Sequence, residues 1–520
     1  MLPTLAGKER TGMKTHVIAR EDLGFVQAVK RIMFCNPLLP ERTELEKEAL
    51  GQDYSATPRP WNVYIAHPVE DANLATLVTR AAETAERCRA NLARKPPASD
   101  EESELYFNFI CFYTYYRYRE DLDRFIRESH ARGSANRVVD FYEDSRREAE
   151  SYLSAGGHVV HSPYPFEWMF AYGFQIRRAF HHIFQFILGT SSSAMGLRAR
   201  VWQSIFTHDA QRYLRSLVQR MGDVITLITG PSGSGKELVA RAIALSRFIP
   251  LDPNTRRFEQ DFLDAFHPLN LTALSPTLIE SELFGHRKGA FTGALADYQG
   301  HLETCGRYGT VFLDEIGDVA VPIQVKLLRV LETRKFNRLG DTRLLPFEGK
   351  IVAATNRAPA QLIQRGELRE DFYYRLCADR IETVSLPDIL GGSPEETRYL
   401  VHYIARKVAG EEEAESLTQE VCAWIHKSLG SKYSWPGNVR ELEQCVRNIM
   451  VHGEYFPERT SPERTFGEQI EAGEWTADEL LRRYTARVHA RTRNYEETAR
   501  ILDLDSRTVK KYLNSGARSE

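Results

Sequence analysis

Residues 224–244 constrain the fold more than any other stretch. Val224-Ile-Thr-Leu-Ile-Thr229 is an apolar, β-rich run. Gly230-Pro231-Ser232-Gly233-Ser234-Gly235-Lys236 follows without a spacer, and Glu237-Leu-Val-Ala-Arg-Ala-Ile-Ala then reads as helix. Strand, glycine loop and helix in this order turn backbone N–H groups onto phosphate oxygens and aim a helix N-terminus at them. A lysine at the end of such a loop reaches the β- and γ-phosphates. A Ser or Thr hydroxyl usually follows that lysine as a magnesium ligand, and here the position is Glu237.

A second strand, Thr310-Val-Phe-Leu, ends in Asp314 and Glu315. Downstream of a phosphate loop, the first carboxylate suits Mg²⁺, directly or through water, and the second suits activation of the attacking water. A third run, Lys350-Ile-Val-Ala-Ala, ends in Thr355 and Asn356, where Asn356 would sense the γ-phosphate. Short β-rich runs alternating with helical stretches predict an α/β domain with a parallel sheet. Between the loop and the carboxylates lies Gly289-Ala290-Phe291-Thr292-Gly293-Ala294, a small glycine-bracketed tip. It suggests a loop that ATP hydrolysis pushes against a partner.

The remaining features set bounds. The 520 residues, 42% hydrophobic and 27% charged, suit an ordinary soluble chain of several domains. A net charge of -3 excludes a globally basic nucleic-acid binder, so a DNA contact has to come from a local patch. No secretory signal pattern opens the chain, and the apolar stretch 166–188 is broken by Glu167, Arg177 and Arg178, so no membrane span is expected. The seven cysteines form no CxxC pair, which predicts a reducing cytoplasm rather than a disulfide or zinc framework.

Five segments follow. Residues 1–190 read as a mainly α unit, with helical periodicity over Leu74–Leu92 and Leu105–Ser129. Its dense aromatics from Tyr106 to Tyr118 fit a helix core, with a ligand cage as the rarer reading. Its histidines His158, His161, His181 and His182 read as structural, because neighbours on a helix point different ways. Residues 191–390 are the α/β unit, 391–455 a helical lid, 456–475 a linker and 476–520 a small basic all-α unit.

The strings Gly230–Glu237, 280–294, 313–317, 324–331, 353–357, 368–376 and 435–442 together make residues 191–455 resemble the AAA+ domain of bacterial enhancer-binding proteins, the activators of sigma-54 RNA polymerase. Glutamate after the loop lysine is ordinary in that family. The resemblance implies an ATPase using ATP and Mg²⁺, with Gly230 to Glu237 on the nucleotide, Asp314 on the metal and Glu315 on the water. Asn270 would link Glu315 to the Phe-Thr loop, and Thr355 and Asn356 would be the first sensor. Arg369 and Arg375 would reach a neighbouring subunit's nucleotide in a ring, expected to be a hexamer. Arg440 would be the second sensor, and residues Gly289 to Ala294 would touch sigma-54. Two stretches depart from the family pattern: 386–394 at the lid hinge, and a long polar segment at 247–269.

Residues 494–513 resemble the Fis-type helix-turn-helix that ends most such activators. From Arg482 to Lys511 there are nine basic residues against four acidic ones, an excess that suits phosphate contacts. Ser506, Arg507, Lys510 and Lys511 are the recognition-helix candidates. Asp503 stands where glycine is commoner. The expected function is a cytoplasmic sigma-54-dependent activator bound to upstream DNA sites and not to membrane. The rival is a repressor that keeps the AAA+ fold as a ligand-responsive scaffold, which would expect a damaged Phe-Thr loop or a missing Glu315.

Overall fold

The computed structural model describes residues 16–56, 71–430, 433–457, 470 and 475–514. One compact unit runs to Glu454 and a second begins at Tyr455.

Among the described residues, the longer helices that lead into the sheet are α1 (Arg20–Phe34), α2 (Glu41–Leu50), α3 (Ala72–Leu92), α4 (Asp100–Arg117), α5 (Arg119–Arg132), α6 (Tyr142–Leu153), α7 (Phe166–Phe186) and α8 (Ser192–Phe206). The periodic stretch Leu105–Ser129 is not one helix. It breaks at Tyr118, where ψ turns to 14° between α4 and α5. α4 is buried on most sides, from Tyr106 to Ile110 and again from Phe112 to Thr114, whereas α5 buries one stripe of Leu122, Phe125, Ile126 and Ser129. The aromatics divide between two roles. Tyr106 and Phe109 are fully buried core, while Phe107, Phe112, Tyr115, Tyr116 and Tyr118 line a cavity of about 370 Å³ together with residues of α7 and α8.

The sheet has five parallel strands: β1 (Thr226–Thr229), β2 (Phe266–Asn270), β3 (Thr310–Asp314), β4 (Lys350–Thr355) and β5 (Asp379–Glu382). Their spatial order is β5-β1-β4-β3-β2. Parallel strands are covered on both faces and so read as continuous apolar runs. Alternate residues divide between two cores. Ile228, Phe312, Val352 and Ile381 point into a core continuous with the N-terminal helices. Leu227, Leu313, Ile351 and Ala353 point into the other.

The helical domain is therefore welded to the sheet domain. Buried Arg178 on α7 donates to the carbonyls of Leu245 (2.9 Å) and Arg247 (2.6 Å), and Gln175 donates to that of Ser246 (3.0 Å). These carbonyls end α9 (Lys236–Ala244), the helix that leaves the glycine loop. A helix C-terminus has unpaired carbonyls and a negative dipole end, and Arg178 answers both.

Between the strands run α10 (Pro276–Phe284) and α11 (Val321–Thr333). Beyond β5 come α12 (Pro394–Ala409), α13 (Glu411–Ser428) and α14 (Asn438–His452). The second unit contains α15 (Ala477–Thr492), α16 (Tyr495–Leu502) and α17 (Ser506–Asn514). Among the described residues, no helix is long and apolar enough to cross a membrane.

Candidate nucleotide site and its output loop

Sheet register gathers the site. Thr229 pairs with Thr355, Leu313 with both Ala353 and Leu269, and Asp314 with Asn270. The carboxyl ends of β1, β2, β3 and β4 thus share one edge, where open α/β sheets bind their ligands. The glycine loop continues β1 at that edge. Gly230, Gly233 and Gly235 all have positive φ (147°, 75° and 85°), which glycine adopts without steric cost. At Gly233 the need is also spatial: a Cβ there would meet the Gly437 carbonyl at 2.3 Å.

Lys236 is buried and donates to the carbonyls of Gly230 (3.1 Å) and Pro231 (3.0 Å). Burial pulls its ammonium below the ordinary lysine range, while Glu315 and Asp314 oppose the shift. The two acids thus lie within electrostatic reach of the loop lysine. Ser234 donates to the Pro231 carbonyl at 2.7 Å and shares a 2.6 Å hydrogen bond with Thr383. Ser232 offers its carbonyl to the lid, and Glu237 opens the first turn of α9.

Glu315 leaves β3 in the left-handed region at φ 54°, uncommon for a residue with a Cβ. That turn brings its Oε2 to the backbone N–H of Asn356, 3.2 Å away. Burial raises the Glu315 carboxyl above the usual range, and the Asn356 N–H partly offsets this. Thr355 is buried at the end of β4, its Oγ1 accepting from the Arg357 N–H at 3.1 Å. Asn270 sits beside Asp314 in the sheet, but its Oδ1 accepts from the Thr272 N–H (2.9 Å) and Oγ1 (2.8 Å). In this conformation its amide oxygen is turned to Thr272 and not to Glu315.

The lid closes over the loop through a residue that motif reading passed over. Asn438 is buried with φ 54°. Its Nδ2 donates to the Ser232 carbonyl at 2.9 Å, and its Oδ1 accepts from the Leu386 N–H at 2.8 Å. Arg440, two residues further on, lies against Gly233 and near Lys236. The signal for Asn438 was the Pro-Gly-Asn turn, since Asn tolerates left-handed backbone. Thr383, which caps the other side of the loop, carried no sequence signal.

Arg369 and Arg375 stand apart from the loop. Arg369 forks onto Asp371 at 3.0 and 2.7 Å, and Arg375 donates twice to the Leu331 carbonyl, at 3.2 and 3.0 Å. Gln324, also missed, orients the first of them by accepting from the Arg369 N–H at 3.0 Å.

The tip Gly289 to Ala294 is a closed turn between α10 and β3. Gly289 N–H donates to the Ala294 carbonyl at 2.8 Å, and Ala294 N–H to that of Phe291 at 3.0 Å. Gly289 and Gly293 have φ 83° and 103° with open space around them, so backbone and not crowding selects glycine. Arg287 braces the base against Asp297 (2.5 Å) and Asp341 (2.9 Å). The half-buried Phe291 ring packs edge-on to His286 at 5.0 Å, and Thr292 is exposed. Ala290 packs where Gly340 of the neighbouring segment leaves room.

In the second unit, Val509 is fully buried while Arg507, Lys510 and Lys511 are exposed on α17. Asp505 caps that helix, accepting from the N–H groups of Arg507 and Thr508, both at 2.9 Å. Ser506, half-buried, begins it. Asp503 adopts φ 51°, a left-handed backbone that glycine takes without steric cost.

Residues 205–382 match the model of the sigma-54 interaction domain. The chain carries an AAA+ sigma-54 interaction domain. The Nif-specific regulatory protein of Klebsiella oxytoca is 38% identical over 267 residues, covering 51% of this chain and 46% of that protein. The sigma54-dependent transcriptional regulator SfnR of Pseudomonas fluorescens is 37% identical over 262 residues, covering 50% and 66%. The chain thus spans about half the length of the Nif-specific relative it matches. The solved structure of NtrX from Brucella abortus is 22% identical, with 72% of this chain and 79% of that one covered, at a TM-score of 0.38. That likeness is too slight to carry an argument.

Proposed function

We propose that this chain is a sigma-54-dependent transcriptional activator: a ring-forming ATPase that remodels the sigma-54 RNA polymerase closed complex while its C-terminal helices hold DNA. The observation that carries this reading is the Phe291-Thr292 tip, braced by Arg287 and lying in the connection from β2 to β3, the strand that ends in Asp314 and Glu315.

The nucleotide site fits ATP. The positive-φ glycines, the start of α9 and Lys236 match a polyphosphate, and Asn438 and Arg440 bring the lid to it. Asp314 would hold Mg²⁺, which neutralises charge on the phosphate oxygens. Glu315, its carboxyl raised above the ordinary range by burial, suits a base toward the attacking water. Its tie to Asn356 lets the end of β4 respond when Glu315 moves. Arg369 and Arg375 exchange their internal partners for a neighbouring subunit's γ-phosphate, which makes hydrolysis depend on the ring. Asn270, beside Asp314 and free to turn from Thr272 to Glu315, relays the state of the site toward the tip. Ser506, Arg507, Lys510 and Lys511 contact DNA, and the helical domain regulates through α7.

The test is promoter opening by purified chain with sigma-54 RNA polymerase and ATP. Opening that requires hydrolysable ATP supports the reading. ATPase activity without opening or sigma-54 binding refutes it.

A further inference from the structure

Three imidazoles meet where the helical domain rests on the end of α9. His181 and His182 are neighbours on α7, and His130 comes from the last turn of α5. Nε2 of His130 lies 3.1 Å from Nε2 of His182. One ring nitrogen from each of the three lies within 4.8 Å of the others. His130 stacks on His181 at 5.2 Å between centroids, and His182 meets each of them edge-on at 5.3 Å. Phe262 closes one side, 5.8 Å from both His130 and His182. His182 is fully buried.

The surroundings of the three rings disfavour their charged form. Burial, reinforced by the neighbouring histidines and arginines, drives His181 down to about 4 and His182 well below its usual range, and burial also lowers His130. A hydrogen bond joins His130 and His182 through one pair of nitrogens, and a ring nitrogen of His181 lies within 4.8 Å of both. Two nitrogens bound tetrahedrally to one ion at ~2.0–2.1 Å stand roughly 3.3 Å apart, close to the spacing of the pair.

The surroundings complete a site. The His182 Nδ1 lies 3.5 Å from the Ser246 Oγ, and a contact of that kind on the outer nitrogen leaves Nε2 for a metal. Gln185, one turn beyond His181, lies beside that ring. The Asp261 carboxylate faces His130 and offsets Arg127 and Arg177, the latter also paired with Asp123.

We propose that His130, His181 and His182 form a binding site for one divalent transition-metal ion of the zinc, cobalt, nickel or iron(II) class. An all-nitrogen donor set disfavours magnesium and calcium, which take oxygen ligands, so this site is separate from the nucleotide's metal. The proposal does not rest on the sigma-54 reading. Its position gives it reach: Ser246 follows the P-loop helix, whose terminal carbonyls α7 already holds through Arg178 and Gln175. An ion here braces α5 and α7 against the end of α9.

The test uses the full chain without a polyhistidine tag, stripped with chelator and titrated with Co²⁺ in the absence of nucleotide. The expected result is one ion per chain, with the intense visible absorption of four- or five-coordinate, nitrogen-ligated cobalt that Zn²⁺ displaces. Half-buried His130 and His181 allow substitution with less risk to folding than His182. His130→Gln and His181→Gln are each expected to keep the wild-type circular dichroism, lose that absorption and lose the rise in Tm that Zn²⁺ gives the unaltered chain. No stoichiometric absorption would overturn the proposal and leave a plain histidine hydrogen bond. Absorption that persists in the double variant would overturn it too, by putting the ion elsewhere.

Discussion

The backbone N–H of Asn356 donates to Oε2 of Glu315 at 3.2 Å, joining the ends of β4 and β3 across the nucleotide edge. Glutamine at 315 keeps an oxygen for this bond but cannot take a proton from water. Glu315→Gln is expected to lower ATP hydrolysis by ~10²–10⁴-fold while ATP still binds. Phosphate release and fluorescent-nucleotide titration check both halves. The acid side of the rate profile should also be displaced. Because burial raises the Glu315 carboxyl, the base is protonated, and the rate falls, at a higher pH than an ordinary glutamate would give.

Asn438 bridges lid and loop through Ser232 and Leu386. Asn438→Ala leaves the buried Leu386 N–H without its partner, at roughly 1–3 kcal/mol, takes the lid's hydrogen bond from the exposed Ser232 carbonyl, and forces a Cβ residue of little left-handed tolerance to φ 54°. Lower Tm and weaker nucleotide binding are expected together. Asn438→Gly relieves only the backbone, so thermal unfolding of the pair separates strain from lost hydrogen bonds.

The α/β fold and the nucleotide edge were legible because local chemistry dictated them. A strand running straight into Gly230–Lys236 leaves few alternatives, and Asp314-Glu315 needed only the parallel register to arrive beside it. What stayed illegible depends on tertiary pairing. His130 is 52 positions from His182, so no spacing rule joins them, and the structural reading of the histidine pair came from seeing α7 alone. The same holds for Arg178, whose carbonyl partners on Leu245 and Arg247 gave no signal in the sequence. The break at Tyr118 was hidden because apolar residues lie on both sides of it.

That pairing bears on domain removal. The core on one sheet face, with Ile228, Phe312 and Val352, is continuous with the N-terminal helices. Deleting residues 1–190 exposes this core and frees the carbonyls held by Arg178 and Gln175. The truncated chain is expected to be insoluble or to melt well below the full chain, measured by soluble yield and scanning calorimetry. A stable, active truncation would show that the interface is dispensable.

On α17, Arg507, Lys510 and Lys511 are exposed around buried Val509. Replacing one phosphate-contacting cation by alanine should reduce the salt slope of DNA binding by about 1, read by fluorescence anisotropy across salt concentrations. Val509→Asp should abolish binding altogether by unpacking the helix.

The central claim is that Phe291 and Thr292 are the output of the ATPase. The most direct measurement is capture of sigma-54 by the chain loaded with ADP and a metal fluoride, a mimic of the transition state. The expected result is a stable complex with the unaltered chain that is lost in Phe291→Ala and Thr292→Ala, both of which still hydrolyse ATP. A complex that survives both substitutions would contradict the account, as would its absence in an unaltered chain that is active as an ATPase.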